Sequence, residues 1–355
     1  MISKKHIFIL ALLLSSLFSF SQEKYTISGT ISDKQNNETL IGVSVYIPEL
    51  KAGVNTNEYG FYSLTLPKGN YTIQISYVGY SLISESINLN TNLKNNYSLA
   101  NDENKLEEVV VTGESKYVKK KKKKINLSIS TIKKMPVVLG EVDVIKSMLL
   151  LPGVTSAGEG ASGFNVRGGG ADQNLILMDE ATIYNSSHVF GFFSIFNPDA
   201  VKDIKLYKGG IPAKYGGRAS SVLDIYQKDG NSNDLHVNGG IGLISSKLLL
   251  EGPIVKDKGA FLVAGRTCYA HLFLKLNEET KDDTAYFYDL NAKLNYKLGE
   301  NDNVYMSGYF GRDVFSLADS FTNIYGNATF NARWNHLFSN KLFSNLSFIY
   351  SDYFY

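Results

Sequence analysis

Leu290-Asn291-Ala292-Lys293-Leu294-Asn295-Tyr296-Lys297-Leu298 alternates apolar and polar residues without a break. Successive side chains of a β-strand point to opposite faces, so this run is a strand with one apolar and one polar face. Asp289 extends the polar face by one step. The alternation returns where Ala328, Phe330, Ala332 and Trp334 interleave with Asn327, Thr329, Asn331, Arg333 and Asn335. In a soluble sheet such a strand packs its apolar face on a core. In a membrane barrel the apolar face meets lipid and the polar face lines the lumen. Tyrosine and phenylalanine crowd this region, with Trp334 among them, as in the aromatic girdles of such barrels. About six strands are expected from 235 onward.

The start of the chain narrows the choice. Lys4, Lys5 and His6 precede an apolar run from Ile7 to Phe20, and Ser19-Phe20-Ser21 offers small residues for cleavage before Gln22. Residues 1–21 therefore read as a secretory signal peptide, too short for a membrane-spanning helix of ~20 residues. No later segment is apolar enough to span as a helix, which leaves a closed barrel as the way into a membrane. The formal charge is +2, and loss of Lys4 and Lys5 with the signal brings it near zero, so nothing overall points to nucleic acid. Cys268 is the only cysteine, so no internal disulfide forms.

Residues 22–100 show short strands between turn residues: Tyr25 to Ile31, Leu40 to Ile47, Phe61 to Leu66 and Tyr71 to Val78. This spacing predicts a small antiparallel sandwich. Residues 125–230 change character to a glycine-rich α+β unit. Its expected elements are a helix over Glu141 to Leu151, a buried strand at Leu175 to Met178 ending in Asp179, and a short helix begun by Asn197-Pro198. Strands follow at Ile204 to Lys208 and Val222 to Ile225. Gly158-Glu159-Gly160-Ala161-Ser162-Gly163 fits the dinucleotide spacing, but no strand leads into it and no helix opens after it. The histidines beyond His6, at 188, 236, 271 and 336, lie far apart and form neither a metal motif nor a nucleophile constellation, so an enzyme is not expected.

Between these units stands Leu106-Glu107-Glu108-Val109-Val110-Val111-Thr112-Gly113, a β-forming run in polar surroundings, followed by the lysine run Lys119 to Lys124. It suits β-augmentation, in which an extended peptide joins another protein's sheet edge. It equally suits a last strand of the preceding sandwich. The lysines read as a solvated tether, with a role near anionic lipid left open.

Four stretches carry a family resemblance. Ile27 to Ile31, Gly42-Val43, Thr56 to Tyr62 and Gly69-Asn70-Tyr71 resemble the carboxypeptidase regulatory-like domain, a non-catalytic sandwich. Glu107, Glu108, Val109, Val110, Val111, Thr112 and Gly113 resemble the TonB box of TonB-dependent outer-membrane receptors. Phe164-Asn165-Val166-Arg167-Gly168, Leu175 to Asp179, and Val201 to Tyr215-Gly216 with its Lys208-Gly209 turn resemble the plug of that family. Leu250 to Arg266-Thr267 resembles its first barrel hairpin. The sequence departs from the family at Glu180-Ala181, where glycine often follows the aspartate, and at Ser220-Ser221, where a glycine pair often stands.

The resemblance implies a mainly β protein: signal, sandwich, box and lysine-rich linker at 101–124, plug, and the first strands of a barrel at 231–355. Plugged barrels have ~22 strands, so the chain is expected to be part of a longer protein. It further implies TonB and outer-membrane lipid as partners, a small extracellular nutrient as ligand, no cofactor, and a periplasmic N-terminal domain. An iron–siderophore complex is the expected cargo, with peptide, glycan or vitamin B12 as alternatives. A SusD-like lipoprotein partner is not favoured, because the insertions of SusC-like importers are missing. In the plug, Arg167 is expected in a buried charge pair with a plug acid, and Asp179 in internal pairing. The rival reading is a surface adhesion protein of stacked β-domains.

Overall fold

The computed structural model describes residues 23–102, 124–127, 129–133, 142–158, 163–317 and 320–355. The expected signal peptide, the run Glu107 to Gly113 and Lys119 to Lys123 lie outside the described residues. No described helix is long and apolar enough to cross a membrane.

The N-terminal unit comprises β1 (Lys24–Asp33), β2 (Ser44–Ile47), β3 (Ala52–Asn55), β4 (Phe61–Pro67), β5 (Gly69–Ser76), β6 (Ile83–Leu89), β7 (Leu93–Lys94) and β8 (Tyr97–Leu99). One sheet has the order β4-β1-β7 with β8 also on β1, and the other the order β3-β2-β5-β6. Alternate residues such as Ile27, Ile31, Val45, Ile47, Ile73, Ile75 and Leu89 point between the sheets and are almost fully buried. Two expectations change. The sandwich is not purely antiparallel, because the chain returns from β6 to lay β7 and β8 parallel to β1. The strand expected from Leu40 begins only at Ser44, because Gly42 turns the chain at φ 78°. The buried Thr56 hydroxyl serves this turn, accepting from Val43 N at 2.9 Å and donating to Leu40 O at 2.7 Å.

The central unit contains β9 (Lys124–Leu127), α1 (Ile129–Lys133), α2 (Val144–Leu149), β10 (Val154–Ser156), β11 (Phe164–Val166), β12 (Asn174–Met178), β13 (Ala181–Thr182), β14 (Ser187–His188), β15 (Phe193–Ser194), β16 (Val201–Tyr207) and β17 (Ser221–Gln227). Its sheet runs β13-β12-β17-β16-β9, with β12 and β17 parallel. All seven residues of β17 are buried, as expected for a strand covered on both faces. The expected helix over Glu141 to Leu151 is trimmed to α2, where the Asp143 carboxylate accepts from Lys146 N at 2.8 Å and caps the first turn. The helix expected after Asn197-Pro198 is only a turn, because β16 begins at Val201.

The third unit is one antiparallel meander: β18 (His236–Ile241), β19 (Ser245–Val255), β20 (Gly259–Cys268), β21 (Thr284–Lys297), β22 (Asp302–Leu317), β23 (Phe321–Ser339) and β24 (Leu342–Phe354). It has seven strands, not six; Gly239-Gly240 blunts the alternation of β18. Turns of a few residues join the strands at 256–258, 298–301 and 340–341; at the other end 242–244 is also short, but 269–283 is longer and carries α3 (His271–Leu274). The burial is inside out. Asn331 and Arg333 are 3% and 4% exposed, while Phe330 and Trp334 beside them are 40% and 41% exposed. Asp289, Asn291 and Lys293 are likewise buried, and Leu290 and Leu294 are open. The polar face of this wall is covered by the central unit, and its apolar face is bare.

Thr56 gives a test of the sandwich. Thr56→Val preserves shape but leaves Val43 N–H and Leu40 C=O buried without that partner. A buried group left unsatisfied costs about 1–3 kcal/mol. Urea titration of residues 23–102 should show the midpoint falling accordingly, and an unchanged midpoint would mean that the turn repairs itself.

Candidate functional site: the junction of central unit and wall

β12 ends in two residues with left-handed backbone, Asp179 at φ 46° and Glu180 at φ 73°. The Asp179 main chain is held by Ile225 O, which accepts from its N–H at 2.8 Å, and its Oδ1 accepts from Gln227 N at 3.0 Å. Its Oδ2 lies 3.2 Å from Lys293 Nζ of β21, and the same ammonium is 3.0 Å from Asp229 Oδ1. Lys293 thus sits between two carboxylates of the central unit and also donates to Gln227 O at 2.8 Å. Glu180 reaches two further strands. Its Oε2 is 3.2 Å from Arg333 Nη2 of β23 and accepts from Ser347 Oγ of β24 at 2.8 Å. A left-handed conformation costs a non-glycine residue roughly 1–2 kcal/mol. Here Glu180 gains an ion pair and a hydrogen bond that offset this cost.

A second anchor lies at β14. His188 is buried, with Nδ1 2.7 Å from Asp313 Oδ2 and Nε2 3.1 Å from Asp289 Oδ2. Arg266 of β20 shares Asp289, with Nη2 at 2.6 Å. The imidazole stacks on Phe287, centroids 4.0 Å apart. Only the imidazolium can donate from both nitrogens. Burial opposes that charge, but the two carboxylates outweigh it and raise the His188 pKa. A third anchor is Asp199, whose carboxylate is 2.6 Å from both Lys133 of α1 and Lys247 of β19. Burial acts against its ionisation, and the two ammonium groups overcome this and lower its pKa.

The other motif residues fall into two groups. Lys208 donates to Pro152 O at 2.6 Å, and Tyr215 OH donates to the buried Asp224 at 2.6 Å. Gly216 is exposed. Arg167 corrects an expectation: it is exposed, and no ion pair joins it to an acid among the described residues. Its N–H donates to Gly153 O at 2.9 Å, and Gly169 N–H donates to Val166 O at 2.9 Å, so it sits in a tight turn at φ 49°. The guanidinium lies over Gly209, where a Cβ would stand 2.8 Å from Nη1. Arg167-Gly168 and Lys208-Gly209 therefore do meet, by packing. Asp179 bonds Gln227 N within the central unit, as expected, but its ion pair is with Lys293 of the wall strand. Sequence reasoning missed Lys293, Arg333, Glu180 and His188. The first two could have been found as isolated cations among asparagines on an inward face.

Removing Lys293 leaves Asp179 and Asp229 facing each other in a buried setting, and breaking a buried pair typically costs about 3–5 kcal/mol. Lys293→Met should lower the urea concentration at which the central unit becomes protease-sensitive in the purified protein. Adding Asp179→Asn should recover part of that loss, and strictly additive effects would show that the two do not interact. His188 gives a pH test. Its pKa is raised from 6.5, so its contribution is complete below about 6.5 and is lost as pH rises through the raised value. The stability gap between wild type and His188→Asn should be widest at acidic pH and narrow on alkalinisation.

Comparison with known proteins follows the same division. Residues 27–111 match the CarboxypepD_reg-like domain and residues 121–222 the TonB-dependent Receptor Plug Domain. TonB-dependent receptor P3 of Formosa agariphila is 30% identical over 129 residues, which is 36% of this chain and 12% of that protein. The solved siderophore receptor PirA of Pseudomonas aeruginosa is 20% identical, with TM-score 0.49, over 65% of this chain and 40% of that one. The copper transporter OprC is 11% identical, with TM-score 0.45, over 65% and 38% of the two chains. The chain therefore spans well under half the length of these relatives. The chain thus carries a CarboxypepD_reg-like domain followed by a TonB-dependent receptor plug domain, the latter seated by ion pairs against the polar face of a strand wall.

Proposed function

We propose that this chain supplies the sandwich, plug and part of the wall of an outer-membrane importer energised through TonB. The observation that carries this reading is the inside-out wall: charged residues are buried against the plug, and large apolar residues face outward. A wall of that kind suits lipid outside and a filled lumen inside. The role is passage of solute by movement of the plug, as a receptor and not an enzyme. An iron–siderophore chelate is the proposed cargo, by the frequency of that class among such receptors; peptide, glycan or vitamin B12 are the alternatives. The sandwich contacts the short-turn end of the wall, through Lys94 to Asn301 Oδ1 at 3.1 Å and Ser63 Oγ to Asn340 O at 2.7 Å. Short turns face the periplasm in such barrels, which supports a periplasmic sandwich.

Glu107 to Gly113 is the proposed TonB-binding strand. A strand that adds to a partner's sheet works through its main chain, and proline cannot donate to a ladder. Val110→Pro should abolish energy-dependent uptake of radioiron-loaded enterobactin while surface binding of the chelate persists. Val110→Thr keeps the amide and the β-propensity and should import near the wild-type rate. Normal uptake by Val110→Pro and by deletion of Glu107 to Gly113 would place the coupling element elsewhere. Binding of no iron chelate, with the box still required for growth, would point to another cargo class.

A further inference from the structure

Two turns at one end of the sandwich enter the junction between plug and wall. In the first, Glu38 accepts from Asp229 N at 2.8 Å and lies 3.5 Å from Lys202 Nζ, which is itself 2.5 Å from Asp229 Oδ2. Asp229 also holds Lys293 of the wall. The series Glu38, Lys202, Asp229, Lys293 thus runs from sandwich through plug to wall as alternating charges. Beside it, Ser232 N–H donates to Asn36 O at 3.1 Å.

In the second turn, Glu58 lies 3.3 Å from Lys205 and 3.2 Å from Lys214. Burial acts against its charge, but the two ammonium groups prevail and hold its carboxyl at about 2, so the contact is ionised at any physiological pH. Tyr59 OH donates to Glu180 Oε1 at 2.9 Å, and the guanidinium of Arg333 lies over the Tyr59 ring at 5.1 Å. Tyr59 therefore caps the same Glu180–Arg333 pair that seats the plug. It also stacks on Phe343 at the short-turn end of β24, at 5.4 Å.

The charges are arranged to part. Without the sandwich, Lys202 keeps Asp229, Lys205 keeps Asp203 at 3.7 Å, and Glu180 keeps Arg333. Lys214, half exposed, returns to water. Undocking thus leaves none of these buried plug charges without a partner, and removal of a last partner is what makes breaking a buried pair costly. We propose that the sandwich is a releasable bolt: docked, it pins plug to wall at the inner mouth, and it must undock before the plug can move. This rests on the transport reading given above.

A reversible cross-link tests it in outer membranes of cells making the protein from its complete gene. A backbone hydrogen bond joins Asn36 and Ser232, a spacing compatible with the roughly 4.4–6.8 Å Cα separation of a disulfide. Asn36→Cys with Ser232→Cys should cross-link on oxidation, and uptake of radioiron-loaded enterobactin should fall to the level of de-energised cells. A thiol reductant should restore it, and either single-cysteine variant should be insensitive to oxidant. Failure to cross-link, or full uptake by the cross-linked protein, overturns the bolt while the transport reading stands. If even the wild type imports none of the chelate, the iron reading fails, and the bolt is then judged by vancomycin sensitivity at matched protein levels. Glu58→Lys with Tyr59→Ala should raise that sensitivity, and an unchanged value overturns the bolt.

Discussion

Lys293 points its ammonium from the polar side of a β-wall into the covering plug, where it meets the Gln227 carbonyl and two carboxylates. A charge in such a place is tolerated only if it is paired and hydrogen-bonded, since transfer of an unpaired ion from water costs several kcal/mol. Asp179, Asp229 and the Gln227 carbonyl meet that demand from a single edge of the plug. The plug must consequently seat in one register. The backbone of Asp179 adopts a left-handed turn, and the chain leaving β17 at Gln227 carries Asp229 two residues further on, so that both carboxylates arrive at the same ammonium. Much else in the junction repeats this solution at other positions: His188 between Asp289 and Asp313, Glu180 on Arg333, and Asp199 between two lysines.

Such a seat combines firm placement with the capacity to move. An apolar plug core against an apolar wall would bury surface without directional preference. Discrete ion pairs fix orientation, and each can be exchanged for water where the groups become solvated. The two largest apolar clusters lie almost wholly inside the plug and inside the sandwich, and only small ones, around Ala200 with Leu249 and Leu262 and around Phe193 with Phe287, bridge plug and wall. The plug and the sandwich are therefore separately cored, and the contacts that join the units include many polar and aromatic ones.

Arg167 and Glu180 illustrate how backbone geometry redirects side chains. Both stand at positive φ in turns. At Arg167 the turn throws the side chain outward over Gly209, and no acid among the described residues takes it. At Glu180 the turn aims the carboxylate at Arg333, Ser347 and Tyr59. A motif residue's charge type was thus a poor guide to its role, because the direction of the Cα–Cβ bond was set by the turn.

The sequence by itself determined what depends on local period and composition. The alternation around Leu290 and Trp334 gave two-faced strands, the short β-runs before residue 100 gave a sandwich, and the apolar run Leu175 to Met178 gave a buried plug strand. It also marked Asp179 as the end of a strand. Only the tertiary structure decided which polar residues meet. Lys293 and Asp179 are 114 positions apart, and His188 and Asp313 are 125 apart. No local pattern encodes such pairs. It also decided which face of the wall is buried, because an alternating strand reads the same whether its apolar side meets a core or lipid. The contact order of β1 with β7 and β8, and the seating of Tyr59 on Glu180, belong to the same class: they follow from how separately folded units pack, and the chain records them only as scattered polar and aromatic residues.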